Sequence, residues 1–398
     1  MKKYLLKSIS FVIGISILPI VTSCSEDDVP PTNPGDLDAA ANIDVTSANI
    51  NSWRNYSLNV AKLLQNDAQT LYDSWNVAYI RNGVVGPAYK ETFKNHSNSE
   101  YATANSCIST IIDKCVEITD EVGNTKIGDP YAKWVAGLHT EALYAVESWY
   151  SFRSREDYSN NIKSIRNSYY NSTDNTTINE HSLCKLTETL NPELNNRIIA
   201  AIDDAENAIL EIPQPFRNNI NHEKVPVAQD ACLALGEILN IELRRVITAA
   251  VQANTVSESE LNLIVDAYVD CVVLPTYKML SEKSVLLTQA VQNLYNSPSN
   301  DTFADACEAW KNAREPWEKS EAFLFGPVDA LGLDPNMDSW PLDQVAIVNI
   351  LNSGNYEQLN WTDNNTDDQI EASQGVRGFH TLEFLLFKNG NPRVYGTE

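Results

Sequence analysis

The feature that most constrains this 398-residue chain is the spacing of its apolar residues. Leu261, Ile264, Val265, Tyr268, Cys271 and Val272 stand at steps of 0, 3, 4, 7, 10 and 11, which marks one face of a helix. Ala228, Ala231, Cys232, Leu235, Ile238, Leu239 and Val246 repeat the pattern. Asp129-Pro130 predicts a helix running through Trp149, with Asp as N-cap and Pro in the first turn. Asn191-Pro192 predicts another, running to Leu210. Pro275 is expected to kink a long helix between Glu258 and Tyr295. No alternating strand pattern stands between these segments. Gly (15) and Pro (17) are both scarce, which disfavours a turn-rich sandwich. Long helices with short polar joints build bundles. The expected fold class is therefore all-α, with two packed four-helix-type bundles over residues 41–256 and 257–398.

The N-terminus reads differently. Lys2, Lys3 and Lys7 precede the short apolar run Phe11 to Ile20, so residues 1–23 are expected to be an export signal. Val21-Thr22-Ser23-Cys24 resembles a bacterial lipobox, which would make Cys24 a lipidated residue; the alternative is a plain secretory signal. Residues 24–40 are acidic and then Pro-rich, as in an extended tether. The expected location is the bacterial cell envelope, anchored by lipid, in the outer membrane on its periplasmic or surface face.

The charge balance is 29 − 53 = −24. An acidic chain argues against nucleic acid and against direct adsorption to anionic lipid, so membrane contact is expected only through the lipid anchor. Cys107, Cys115, Cys184, Cys232, Cys271 and Cys307 show no CxxC or zinc-like spacing. Most of them are read as small core hydrophobes.

Two blocks carry the candidate chemistry. In Gly378-Phe379-His380-Thr381-Leu382-Glu383-Phe384-Leu385-Leu386-Phe387, His380 and Glu383 are three residues apart and share one helix face. Apolar residues wrap most of the rest, so this helix is buried and its polar pair needs partners. Gly378 would let a neighbouring backbone come close. The pair reads either as a hydrogen-bonded core couple or as part of a site. Earlier, Trp310, Arg314, Trp317 and Glu321 stand at helical steps 0, 4, 7 and 11. They read either as an arginine snorkelling at a bundle rim or as a polar cluster facing a cavity. Asp338-Ser339-Trp340-Pro341 then makes a turn with one more carboxylate.

The Arg314-Glu-Pro-Trp317 block with Ser320-Glu-Ala-Phe and Phe325-Gly-Pro, then Asp338-Ser-Trp340-Pro-Leu, and finally GxHxxEFLLF, resemble the signature of the imelysin-like family. In that family these motifs lie early, whereas here the chain stops 15 residues after Glu383. Trp53-Arg54-Asn55-Tyr56, Ser154-Arg155-Glu156-Asp157-Tyr158-Ser159 and Ile212-Pro213-Gln214-Pro215-Phe216 look like parts of the family's later half, placed first. The resemblance thus implies a circular permutation with both bundles present in swapped order, which is tolerable where termini lie close together.

The family was first classed as metallopeptidase and is linked to bacterial iron uptake. A zincin needs paired histidines on one helix, and no HExxH or HxxEH occurs among the five histidines. His139, in Gly137-Leu138-His139-Thr140-Glu141, is a short echo without the spacing. A hard cation instead favours carboxylates. His380, Glu383, Glu321 and Asp338 are the candidate ligands for iron or another metal ion, with Arg314 orienting a carboxylate or an anion and Gly378, Trp317, Phe325 and Trp340 in support. The expected function is binding of a metal ion or metal-containing ligand between the bundles, with envelope iron-uptake components as partners. The alternatives are a peptidase and a structural lipoprotein.

Overall fold

The computed structural model describes residues 43–81, 83–96, 98–362 and 364–396. The export segment, Cys24 and the tether of residues 24–40 lie outside the described residues. The described chain is helical nearly throughout, so the all-α expectation holds. The principal helices are α1 (Ile50–Asn76), α2 (Ala104–Asp120), α3 (Ser154–Tyr170), α4 (Pro192–Leu210), α5 (Lys224–Glu237), α6 (Leu274–Asn296), α7 (Asn300–Glu318) and α8 (Gly378–Leu386).

They close into two four-membered sets. α2 packs on α3 and α5, and α4 packs on the same two. α6 packs on α1 and α7, and α8 packs on the same two. The early helix α1 is therefore built into one set with the last helices. The sets meet where α3 packs on α7.

Local chemistry fixes the ends. Asn191 caps α4 by accepting a hydrogen bond from the Leu194 N–H at 3.0 Å, as its sequence predicts. Ser299 and Thr302 form a capping box at the start of α7. All nine residues of α8 are buried. Two tryptophans pin its backbone: Trp53 Nε1 donates to the Leu385 carbonyl at 2.6 Å and Trp310 Nε1 to the Phe379 carbonyl at 2.9 Å. Gly378 has φ +85°, and a Cβ there would fall on the Met337 carbonyl. Glycine is required by both the conformation and the approach of that backbone.

Three expectations change in detail. The helix assigned to Asp129 does not start there: α2 runs on through a π-helical stretch, Glu121–Gly128, into Asp129–Val135. It also stops short of Trp149, because Gly137 turns the chain at φ +81° and only a short helix, His139–Tyr144, follows. Pro275 sits in the first turn of α6, after a π-helical stretch Val269–Val273 that joins it to the helix Glu258–Tyr268. The wider turn before each proline absorbs the irregularity that its missing N–H imposes. Three short strand pairs also occur: Val45–Thr46 parallel to Tyr395–Gly396, Phe387–Lys388 with Asn391–Pro392, and the hairpin Ala78–Arg81 with Val84–Pro87. The six described cysteines are free thiols, five of them buried.

Candidate functional site

Where α3 meets α7, the core is charged. α7 presents Arg314 and Glu318, one turn apart; α3 presents Asp157 and Asn161; α8 presents His380 and Glu383. Asp338 arrives from the end of the short helix Leu333–Asp338. Arg314 and His380 are each 1 % exposed, and Glu318 and Glu383 are fully buried. Charges this deep persist only when paired.

The pairing is dense. Arg314 Nη1 is ion-paired with Asp338 Oδ1, and its Nη2 lies 2.6 Å from Glu318 Oε1. That second contact is close but off the hydrogen-bond angle, so Glu318 Oε1 is ion-paired without being hydrogen-bonded. Glu318 Oε2 accepts from Asn161 Nδ2 at 2.5 Å. Arg314 Nε faces Asp157 Oδ2 at 3.6 Å. His380 lies between two carboxylates, with Nε2 3.1 Å from Asp338 Oδ1 and Nδ1 3.1 Å from Glu383 Oε2. Glu383 Oε1 accepts from the Ser151 N–H at 2.8 Å and from Ser151 Oγ at 2.7 Å. Trp317 Nε1 donates to Asp338 Oδ2 at 2.6 Å. Trp340 lies against the His380 ring with centroids 4.7 Å apart.

Electrostatics divide these groups. Burial and Arg314 both oppose the charge on His380, but Asp338 and Glu383 outweigh them and raise its pKa to about 9. Both ring nitrogens then carry protons, and His380 is an imidazolium at neutral pH. Burial alone would raise Asp338; Arg314 and His380 instead hold its carboxyl well below the usual range. Burial pushes Glu318 up to about 8 and Asp157 up to about 6, against the pull of Arg314 in both cases.

Beside this network lies a cavity of about 540 Å³. Asp338, Glu321 and Trp340 line it, with Lys126, Glu147 and Asp334 among the remaining wall residues. Glu321 does not sit on the α7 stripe as its spacing suggested. The helix ends at Glu318, and Glu321 opens a 3-10 turn, Glu321–Phe323, that aims it at the cavity. It is 8 % exposed and makes no hydrogen bond or ion pair among the described residues. Burial, together with Glu121 and Glu318, pushes it well above the ordinary range against the opposing pull of Lys126. Burial and Asp338 raise Asp334 to about 7. One carboxylate oxygen from each of Glu318, Glu321 and Asp338 lies within 4.8 Å of the others. An ion with bonds of about 2.0–2.5 Å to hard oxygen ligands can bridge such a set.

Of the sequence-predicted residues, Arg314, Asp338, His380 and Glu383 form one network, with Arg314 buried rather than snorkelling. Trp317 and Trp340 touch it. Phe325 does not; it packs 5.6 Å from Trp75 and 5.3 Å from Phe93. His139 stacks on Trp134 at 4.3 Å. Sequence reading passed over Glu318, which the i,i+4 spacing from Arg314 announces, and Asp157, Ser151 and Lys126. Lys126 is 3 % exposed, 3.3 Å from both Glu121 and Glu147. Its surroundings in the sequence, Asn124-Thr125-Lys126-Ile127-Gly128, carry no sign of burial.

Comparison with known proteins supplies the remaining finding. Residues 32–241 and 273–397 match the imelysin family profile. The chain is 54 % identical to an imelysin peptidase from Bacteroides ovatus, whose crystal structure superposes with a TM-score of 0.87 over 90 % of this chain and 100 % of that one. It is 34 % identical over 133 residues to the iron-regulated protein A of Synechococcus elongatus, a match spanning 33 % of each chain. This chain thus covers a third of that curated relative's length.

Proposed function

This chain belongs to the imelysin family, and from that premise we propose that it captures a metal ion in bacterial iron uptake, as a lipid-anchored protein of the cell envelope. The iron assignment draws on the relative named for its regulation by iron. The anchoring rests on Cys24 and the segment before it. The observation that carries metal binding is Glu321: a buried carboxyl without a partner, facing a cavity, with oxygens of Glu318 and Asp338 close by. His380 and Glu383 then serve as the charged frame that holds Asp338, since they stand outside both the three-carboxylate set and the lining of the cavity. The swapped order of the family's halves belongs to the same proposal. Its support is the parallel pairing of Val45 with Tyr395, which brings the two ends of the described chain together.

Elemental analysis of protein purified without chelator, followed by calorimetry with iron(II), manganese(II) and zinc(II), tests the reading. The native protein should bind, and Glu321→Gln should lose at least about tenfold in affinity while keeping its fold. Equal binding by the two proteins removes this cluster as the site. The description of the Bacteroides ovatus relative favours a second reading, peptide hydrolysis. Glu318, with its pKa near 8, would be the proton-accepting group there. Peptide cleavage by the native protein that vanishes in Glu318→Gln would establish it.

A further inference from the structure

We propose that the cavity accepts its metal as a hydrated multivalent cation, and rejects organic chelates and haem. The inference rests on the reading of this cavity as a metal site and specifies which form of the metal enters.

The size of the cavity admits an ion with its water. A first shell of about six waters takes roughly 180 Å³ at roughly 30 Å³ each, well within the cavity of about 540 Å³. A bare ion held only by protein ligands needs far less. The walls set the charge. Seven carboxyl side chains and two lysines line the space. Chelates of iron with multiply charged carboxylic acids are anions, and the seven carboxyl side chains of this wall repel them. Haem fares no better: its ring needs apolar walls, and Ile118, Leu324 and Trp340 are the large apolar residues of this lining.

The unpartnered Glu321 distinguishes this cavity from an ordinary acidic surface patch. The residue is 92 % buried, yet its carboxyl opens on the cavity and not on a donor of the protein. Here Arg314 is committed to Asp338 and Glu318, and Lys126 to Glu121 and Glu147. A hydrated cation supplies the missing positive charge, and its water donates hydrogen bonds to the remaining carboxylates. Two lysines discriminate in the opposite sense: each repels a cation and attracts an anion.

Equilibrium dialysis with four probes decides the matter: manganese(II) chloride, iron(II) sulfate without oxygen, iron(III) with excess citrate, and haemin. Free manganese(II) and iron(II) should bind at least tenfold more tightly than iron(III) citrate, with no labelled citrate retained, and haemin should not bind. Lys126→Met should tighten manganese(II) binding about threefold or more. Lys114→Gln is the companion variant, because Lys114 also lines the cavity and its ion pair is with the exposed Glu117; thermal melts should show its fold retained, and it should shift binding in the same direction. Retention of citrate, haemin binding, or weaker metal binding in both lysine variants overturns the inference while leaving the metal site standing. Failure of all four probes to bind the native protein overturns the metal site itself, and the inference with it.

Discussion

Raising the pH from about 6 to about 9.5 should destabilise this protein by about 3 kcal/mol through His380 alone. The magnitude comes from its setting. Free histidine titrates near 6.5; here the pKa is about 9, because Asp338 and Glu383 overcome burial and Arg314. A difference of about 2.5 units at 1.36 kcal/mol each is about 3 kcal/mol. The folded-state value is raised, so the contribution is fully present below the unfolded value of 6.5 and is lost as pH climbs through about 9. Glu318, Asp334 and Asp157 are also raised, to about 8, 7 and 6, and they lose stability with rising pH in lower, overlapping windows. A variant isolates the histidine. Urea denaturation of the native protein and of His380→Gln at several pH values should show the stability gap between them shrinking by about 3 kcal/mol across the range. Nitrogen NMR of the five labelled histidines should show one ring doubly protonated at neutral pH. A constant gap, or a neutral His380 ring at neutral pH, refutes the imidazolium frame and reopens His380 as a metal ligand.

Gly378→Ala should cost about 3 kcal/mol or more in denaturant melts, because it combines a strained φ of +85° with a Cβ 2.7 Å from the Met337 carbonyl carbon. Metal affinity should fall as pH drops from about 8 to about 6, since Glu318 and Asp334, with pKa values of about 8 and 7, regain protons that a cation must displace; calorimetry in two buffers of different ionisation enthalpy should record that proton release. Cys24→Ala should release the protein from native membranes, and the intact mass of the native form should exceed the chain cleaved before Cys24 by its acyl groups; unchanged retention would refute the anchor.

The sequence discloses helices more readily than joints. The step pattern of Leu261 to Val272 needs only its own residues to be read, and it lands on a helix. The π-helical stretches before Pro130 and Pro275 depend on how neighbouring helices pack, so local spacing predicts a cap and a kink in their place. The hairpin Ala78–Arg81 with Val84–Pro87 did carry a signal, since Gly83 suits the positive φ of a tight turn, but four-residue strands are too short to show alternation. In the site, His380 with Glu383 is legible because both lie in one helical turn. Arg314 with Asp338 is legible as chemistry but not as contact. Lys126 is invisible, because a buried lysine is defined by its partners Glu121 and Glu147, and Glu147 comes from another segment of the chain.

Asp338 is where frame and cavity meet, and through it the proposed metal site would depend on a motif that does not line the cavity. Arg314 and His380 hold it ionised against burial, and it lines the cavity. Glu321 shares the cavity but has no such cation, and burial drives it well above the ordinary range. A pocket whose carboxyls were all ionised would strain against its own repulsion, and one whose carboxyls were all protonated would attract no cation. The frame sets one carboxylate charged and leaves the other exchangeable. Glu383 stands outside the lining of the cavity: anchored by Ser151, it supports the imidazolium of His380, which in turn supports the charge on Asp338. Glu383→Gln should therefore lower the pKa of His380 and weaken metal binding, although its oxygens face Ser151 and His380 rather than the cavity.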